Sequence, residues 1–251
     1  MPLGLYDAFA DLVLGSACVV CRRAGRPLCV PCEEVLPVAP RVVWPSPTPA
    51  GLAVPYAVGE YADGLRALVV QHKERRLMGL ARPLGTLLAY AVDAAAPAGP
   101  VLLVPVPSRS AALRERGYDP TGALVRRTGA VLRRTGRDVR VVPLLRLRSG
   151  VVDQSGLGAG ERARNLAGSM WCPSGAVARH AGTRARVVVC DDVLTTGATA
   201  REAQRALEAV GVPVTAIATV AATRRRLPGA DLRATPGNSQ EQSLSSDPDA
   251  H

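Results

Sequence analysis

One segment constrains this chain more than any other. Residues 187–199 run Val-Val-Val-Cys-Asp-Asp-Val-Leu-Thr-Thr-Gly-Ala-Thr. The opening apolar run reads as a buried strand, Val187 to Cys190, and a helical pattern starts at Ala200. A turn at the carboxyl end of a parallel strand is where open α/β sheets bind ligands. The helix start offers unpaired backbone N–H groups and a positive dipole end, which suit a phosphate. Gly197 lets the backbone approach closely, and the hydroxyls of Thr195, Thr196 and Thr199 add donors. Asp191 and Asp192 cannot serve a phosphate directly. They are placed to accept hydrogen bonds from ribose hydroxyls and to help hold a Mg²⁺ shell. An ordinary acid-capped helix start explains neither the doubled acid nor the Thr-Thr-Gly-Ala-Thr run.

The pattern around this segment alternates. Ala57 to Tyr61, Val101 to Val106, Val139 to Leu145 and Val214 to Ala221 read as strands. Helical spacing runs from Asp63, an expected N-cap, through His72, with Leu65, Leu68 and Val69 on one face. Further helices are expected over Leu80 to Ala95, broken near Pro83, over Thr121 to Thr135 and over Ala200 to Val210. Strands separated by helices predict an α/β fold, doubly wound around a mostly parallel sheet. We expect a helix and cysteine unit over 1–40, a proline-rich connector over 41–56 and the α/β domain over 57–227. Residues 228–251 have almost nothing to bury and read as a disordered tail.

Cys18-x2-Cys21 and Cys29-x2-Cys32 form two knuckles seven residues apart. In a chain with no signal peptide and no apolar run of membrane-spanning length, cytoplasmic location is the expectation. Four thiolates around a tetrahedral structural Zn²⁺ then explain the spacing, with redox pairing and an iron–sulfur cluster as competing readings. Cys190 lies inside an apolar strand and reads as a small hydrophobe. The net charge of +10 points to anionic partners, although the bias toward Arg is also what GC-rich codon use produces. Among 31 basic residues Lys73 is the one lysine, which singles it out.

Residues 187–199 resemble the phosphoribosyl pyrophosphate (PRPP) signature of the type I phosphoribosyltransferases, without a gap. Other segments extend the likeness. Pro107-Ser108-Arg109 follows a strand, and Leu113-Arg114-Glu115-Arg116-Gly117-Tyr118 comes next. Gln154, Leu157, Glu161-Arg162 and Asn165 lie in a Gly-rich stretch that reads as a flap. With Lys73 upstream, these residues are similar to the ComF family of competence-associated phosphoribosyltransferase-like proteins, over residues 15–222. Two positions depart from that pattern. Tyr118 is followed by Asp119-Pro120 where Asn is usual, and Met170 stands where Phe is usual.

The resemblance implies a phosphoribosyltransferase-type sheet behind an N-terminal zinc ribbon. It implies that Asp191 and Asp192 contact the ribose of PRPP and that Thr195, Thr196, Gly197, Ala198 and Thr199 cradle its 5′-phosphate. Pro107, Ser108 and Arg109 would bind pyrophosphate, and Lys73 and Arg116 would neutralise it as it leaves. Thr195 stands where purine salvage enzymes of this class carry Asp, which disfavours a purine acceptor. The family's association with DNA uptake implies an alternative, a non-catalytic competence factor that binds nucleotide, single-stranded DNA or DNA-uptake proteins. Against it, aromatic residues for base stacking are scarce, chiefly Tyr118 and Trp171.

Overall fold

The computed structural model describes residues 17–108, 119–148, 166–175 and 184–223. The expectations for the first helix, for Arg109, Arg114 and Arg116, for the flap up to Asn165 and for the tail lie outside these residues. Within them the protein is α/β, built on a six-stranded sheet that is parallel except at one edge.

The strands are β1 (Arg41–Val42), β2 (Pro55–Glu60), β3 (Val101–Pro105), β4 (Val139–Val141), β7 (Arg186–Leu194) and β8 (Ala216–Ala222). Separately, β5 (Arg146–Leu147) pairs antiparallel with β6 (Met170–Trp171) in a two-stranded sheet. The helices are α1 (Val30–Glu34), α2 (Asp63–Glu74), α3 (Ala81–Ala95), α4 (Pro120–Arg134) and α5 (Ala198–Glu208). The order across the sheet is β1-β2-β8-β7-β3-β4, with β1 antiparallel to β2.

Period-2 alternation sends each strand's side chains to two separate cores. Leu103, Val188, Cys190 and Val220 face one core, closed by Leu65 and Leu68 of α2, Leu84 and Leu88 of α3, and Leu124 of α4. Leu102, Val104, Val189 and Ile217 face the other, closed by Ala203 and Leu207 of α5 together with Leu52, Leu145 and Met170. Helices therefore cover both faces. The fully buried residues are almost all aliphatic, as a chain with a single Phe requires.

Several boundaries differ from expectation for local reasons. Asp63 is not an N-cap: Ala62 holds that position without a side-chain cap, and Asp63 opens the helix at φ +42°. Pro83 does not break α3, because it is the third residue, where no intrahelical N–H bond is lost. The strand expected over 139–145 stops at Val141, and the chain turns away toward β5. Conversely, β7 continues through the paired acids to Leu194, because Asp191, Val193 and Leu194 remain in register with Thr219, Ala221 and Ala222 of β8.

Candidate functional site

The chain leaves β3 through α4 to β4 on one side, and later returns as β7 on the other side of β3. The winding direction therefore reverses between β3 and β7, and the crevice beyond their carboxyl ends is where such sheets place ligands. Two of the segments singled out from sequence meet there. Pro105 is in register with Cys190, and Val106 N–H donates to Cys190 O at 2.9 Å. Pro107 and Ser108 thus emerge beside Asp191 and Asp192.

The turn after β7 is short, and α5 begins at Ala198 with Gly197 at the capping position. Gly197 has φ +72°, a left-handed conformation that favours glycine. Thr195 is exposed and Thr196 half-buried, whereas Gly197 and Ala198 are buried and Thr199 is half-buried. Thr196 Oγ1 accepts from Ala198 N–H at 3.4 Å, and Thr223 Oγ1 donates to Thr195 O at 3.5 Å. The loop is held from its own side chains and from the end of β8.

Lys73, one residue from the end of α2, reaches across to this loop. Its Nζ lies 2.7 Å from Asp192 Oδ2, with the Asp192 side chain 11 % exposed and that of Lys73 40 %. Burial opposes the Lys73 charge, but Asp192 and then Asp191 overcome it and raise its pKa. The Asp191 carboxyl moves upward too, because burial and the neighbouring Asp192 carboxylate disfavour its ionised form more than Lys73 favours it. Backbone N–H groups satisfy part of each acid: Asp192 N–H donates to Asp191 Oδ1 at 2.9 Å, and Val193 N–H to Asp192 Oδ1 at 2.8 Å. Two acids and one lysine thus carry a net negative charge when ionised, arranged to receive hydroxyls or a cation.

The raised Asp191 pKa fixes a sign for stability. Its carboxyl binds a proton more tightly folded than unfolded, so its stabilising contribution is full in acid and is lost as pH rises. Asp191→Asn should therefore match the parent near about pH 4 and exceed it near about pH 8, by on the order of 1 kcal/mol. For a chain of this size that is a Tm difference of roughly 2–4 °C, measurable by thermal melts across pH. Equal Tm differences at the two pH values would contradict the assignment.

Ser108 and Asp119 meet at the start of α4. Its Oγ donates to Asp119 Oδ1 at 2.7 Å, and the same oxygen accepts from Gly122 N–H at 3.0 Å, capping α4. Asp119-Pro120, a departure from the family pattern, is thus an N-cap followed by proline at the first helical position. That pair was readable as a helix start.

The second face of α5 holds β6. Glu202 Oε1 accepts from Met170 N–H at 2.9 Å, and Arg205 donates both to Glu202 and to Met170 O. Burial would raise the Glu202 pKa, but Arg205 and the backbone donors hold it below the usual range. The β5–β6 pair is therefore tied to α5, which begins at Ala198.

Away from this crevice, the sulfur atoms of Cys18, Cys21, Cys29 and Cys32 all lie within 4.8 Å of one another. They are free thiols, and Cys21 and Cys29 sulfurs are 3.5 Å apart. Metal–sulfur bonds of about 2.3 Å in a tetrahedron separate the sulfurs by roughly 3.8 Å. The four residues can therefore hold a metal ion. Burial disfavours a Cys18 thiolate, yet backbone N–H groups of Cys21, Cys29 and Val20 prevail and bring it down to about 6. Hydrogen bonding from Cys29, burial and the Cys18 charge push Cys32 up to about 12. A cation bound by the four sulfurs would favour their thiolate forms. Cys190 stays a thiol, pushed up by burial.

No family model and no curated protein matches the chain. No helix among the described residues is long and apolar enough to cross a membrane.

Proposed function

We propose that the protein is a PRPP-binding phosphoribosyltransferase of ComF type, with structural zinc at its four N-terminal cysteines. One observation carries the reading. The doubled acid and the Thr-Thr-Gly-Ala-Thr turn lie at the point where the sheet reverses its winding, beside Pro107 and Ser108. In this reading Thr195 to Thr199 hold the 5′-phosphate against the start of α5, and Asp191 and Asp192 accept from the ribose hydroxyls. Lys73, fixed on Asp192, keeps the acid pair from repelling the ligand's phosphates. Pro107, Ser108 and Arg109 line the pyrophosphate side, and Arg116 neutralises the departing group. Mg²⁺ bound with PRPP would add further neutralising charge.

The reaction is displacement at C1 of the ribose. The acceptor's lone pair forms the new bond, pyrophosphate leaves with the old bonding pair, and the acceptor sheds its proton to solvent. The protein's part is positioning and electrostatic stabilisation of an oxocarbenium-like ribose. With Mg²⁺ and labelled PRPP, the purified protein should release pyrophosphate above background across an acceptor panel. Arg116→Ala should slow that release by about 10²-fold, as loss of one transition-state donor does. Any single-stranded DNA binding should fade steeply with salt. No pyrophosphate with any acceptor, together with tight DNA binding that survives salt, would replace this reading with a DNA-uptake factor.

A further inference from the structure

The proline-rich stretch before β2 lies along α5. Gln204 is 4 % exposed and uses both ends of its amide. Its Oε1 accepts from Ala53 N–H at 2.9 Å, and its Nε2 donates to Gly51 O at 2.9 Å and to Glu208 Oε1 at 2.7 Å. Arg201 Nε, one turn closer to the loop, donates to Ala50 O at 2.9 Å. Higher still, the stretch closes over Gly197. A methyl group there would come within 2.9 Å of Pro45 Cγ, 3.2 Å of Leu52 Cδ2 and 3.3 Å of Pro49 Cδ. Proline rings have little freedom to give way, and Leu52 is anchored in the second core.

We infer that Gln204 is a positioning residue for the loop at 195–199, clipping residues 45–53 to α5 so that Pro45, Pro49 and Leu52 form a rigid wall behind Gly197. The wall stands against Gly197 at its left-handed φ of +72°, the conformation from which α5 starts. Preorganised donors bind an anion without an ordering cost. The inference rests on the phosphate-loop reading for its ligand, but not for its geometry.

The test therefore has two readouts on the full chain. Hydrogen exchange by mass spectrometry reports the amides of 45–53 and 195–199, and calorimetry with Mg²⁺-PRPP reports affinity. Gln204→Glu keeps the acceptor for Ala53 but, when ionised, loses the donor to Gly51 and faces Glu208. Near neutral pH it should speed exchange at least fivefold in both segments while β3 and α3 keep their protection, and weaken PRPP at least fivefold. Acidification, which restores a donor as the Glu protonates, should narrow the difference from the parent in exchange. Pro45→Ala, which leaves Gln204 in place, should speed exchange at 195–199 in the same way if Gln204→Glu fails to fold. Faster exchange confined to 45–53, or unchanged exchange at 195–199 in Pro45→Ala, would overturn the inference. If the parent itself does not bind PRPP, the functional reading falls, and the exchange data alone still decide the role of Gln204.

Discussion

Removal of zinc from the site proposed at Cys18, Cys21, Cys29 and Cys32 should unfold the N-terminal unit. A structural zinc in a four-thiolate site contributes on the order of 10 kcal/mol, more than a unit this small can recover by packing. Among the described residues of this unit, only Cys18, Val19 and Leu28 are buried with the first core, and α1 buries nothing fully. Metal analysis should return one zinc per chain. A strong chelator should turn four protected thiols reactive and lower the melting temperature. The effect should reach α2, because Val20 Cγ1 lies 3.2 Å from the place a methyl group on Gly64 would occupy. Metal-free protein with the same melt, or disulfides among the four cysteines, would contradict the assignment.

The second large effect concerns the acid pair. Asp191→Asn combined with Asp192→Asn should abolish the rise in melting temperature given by Mg²⁺-PRPP, without unfolding the protein. Each carboxylate that accepts from a ribose hydroxyl makes a charged hydrogen bond, worth about 1.5–3 kcal/mol. Losing both should cost more than about 10²-fold in affinity. The fold should tolerate the change. Asn keeps the side-chain volume and the oxygen that accepts from the next backbone N–H, and it removes a carboxyl that burial already disfavours. Lys73 loses its partner but is exposed enough to turn to water. A ligand-induced shift that persists in the double variant would mean that another part of the surface binds PRPP.

Much of this arrangement was legible before any coordinates. The apolar strand, doubled acid, Thr-rich turn and helix of 187–208 each carry a local signal: periodicity, charge or glycine. The cysteine spacing predicted a cluster, and the sulfurs do meet. What escaped notice depends on residues far apart in the chain. Gln204 and Gly51 are 153 positions apart, and Gln204 and Ala53 151, so no window of sequence pairs them. A faint sign existed, since Gln204 falls on the same helix face as Ala200, Ala203 and Leu207, where a polar residue calls for buried partners. The proline-rich segment reads only as a connector in sequence, because prolines announce a break in regular structure and not what the segment packs against. Lys73 stood out by composition, but its contact with Asp192 depends on the sheet order bringing α2 to the end of β7.

In the proposed function, the loop at the reversal between β3 and β7 is a PRPP site. Isothermal titration of the purified protein with PRPP, with and without Mg²⁺, tests it most directly. Saturable binding at one site per chain is expected, strengthened by Mg²⁺ and lost in the double Asn variant. Heats no larger than dilution, at protein and ligand concentrations that would reveal a dissociation constant near 1 mM, about −4 kcal/mol, would contradict it.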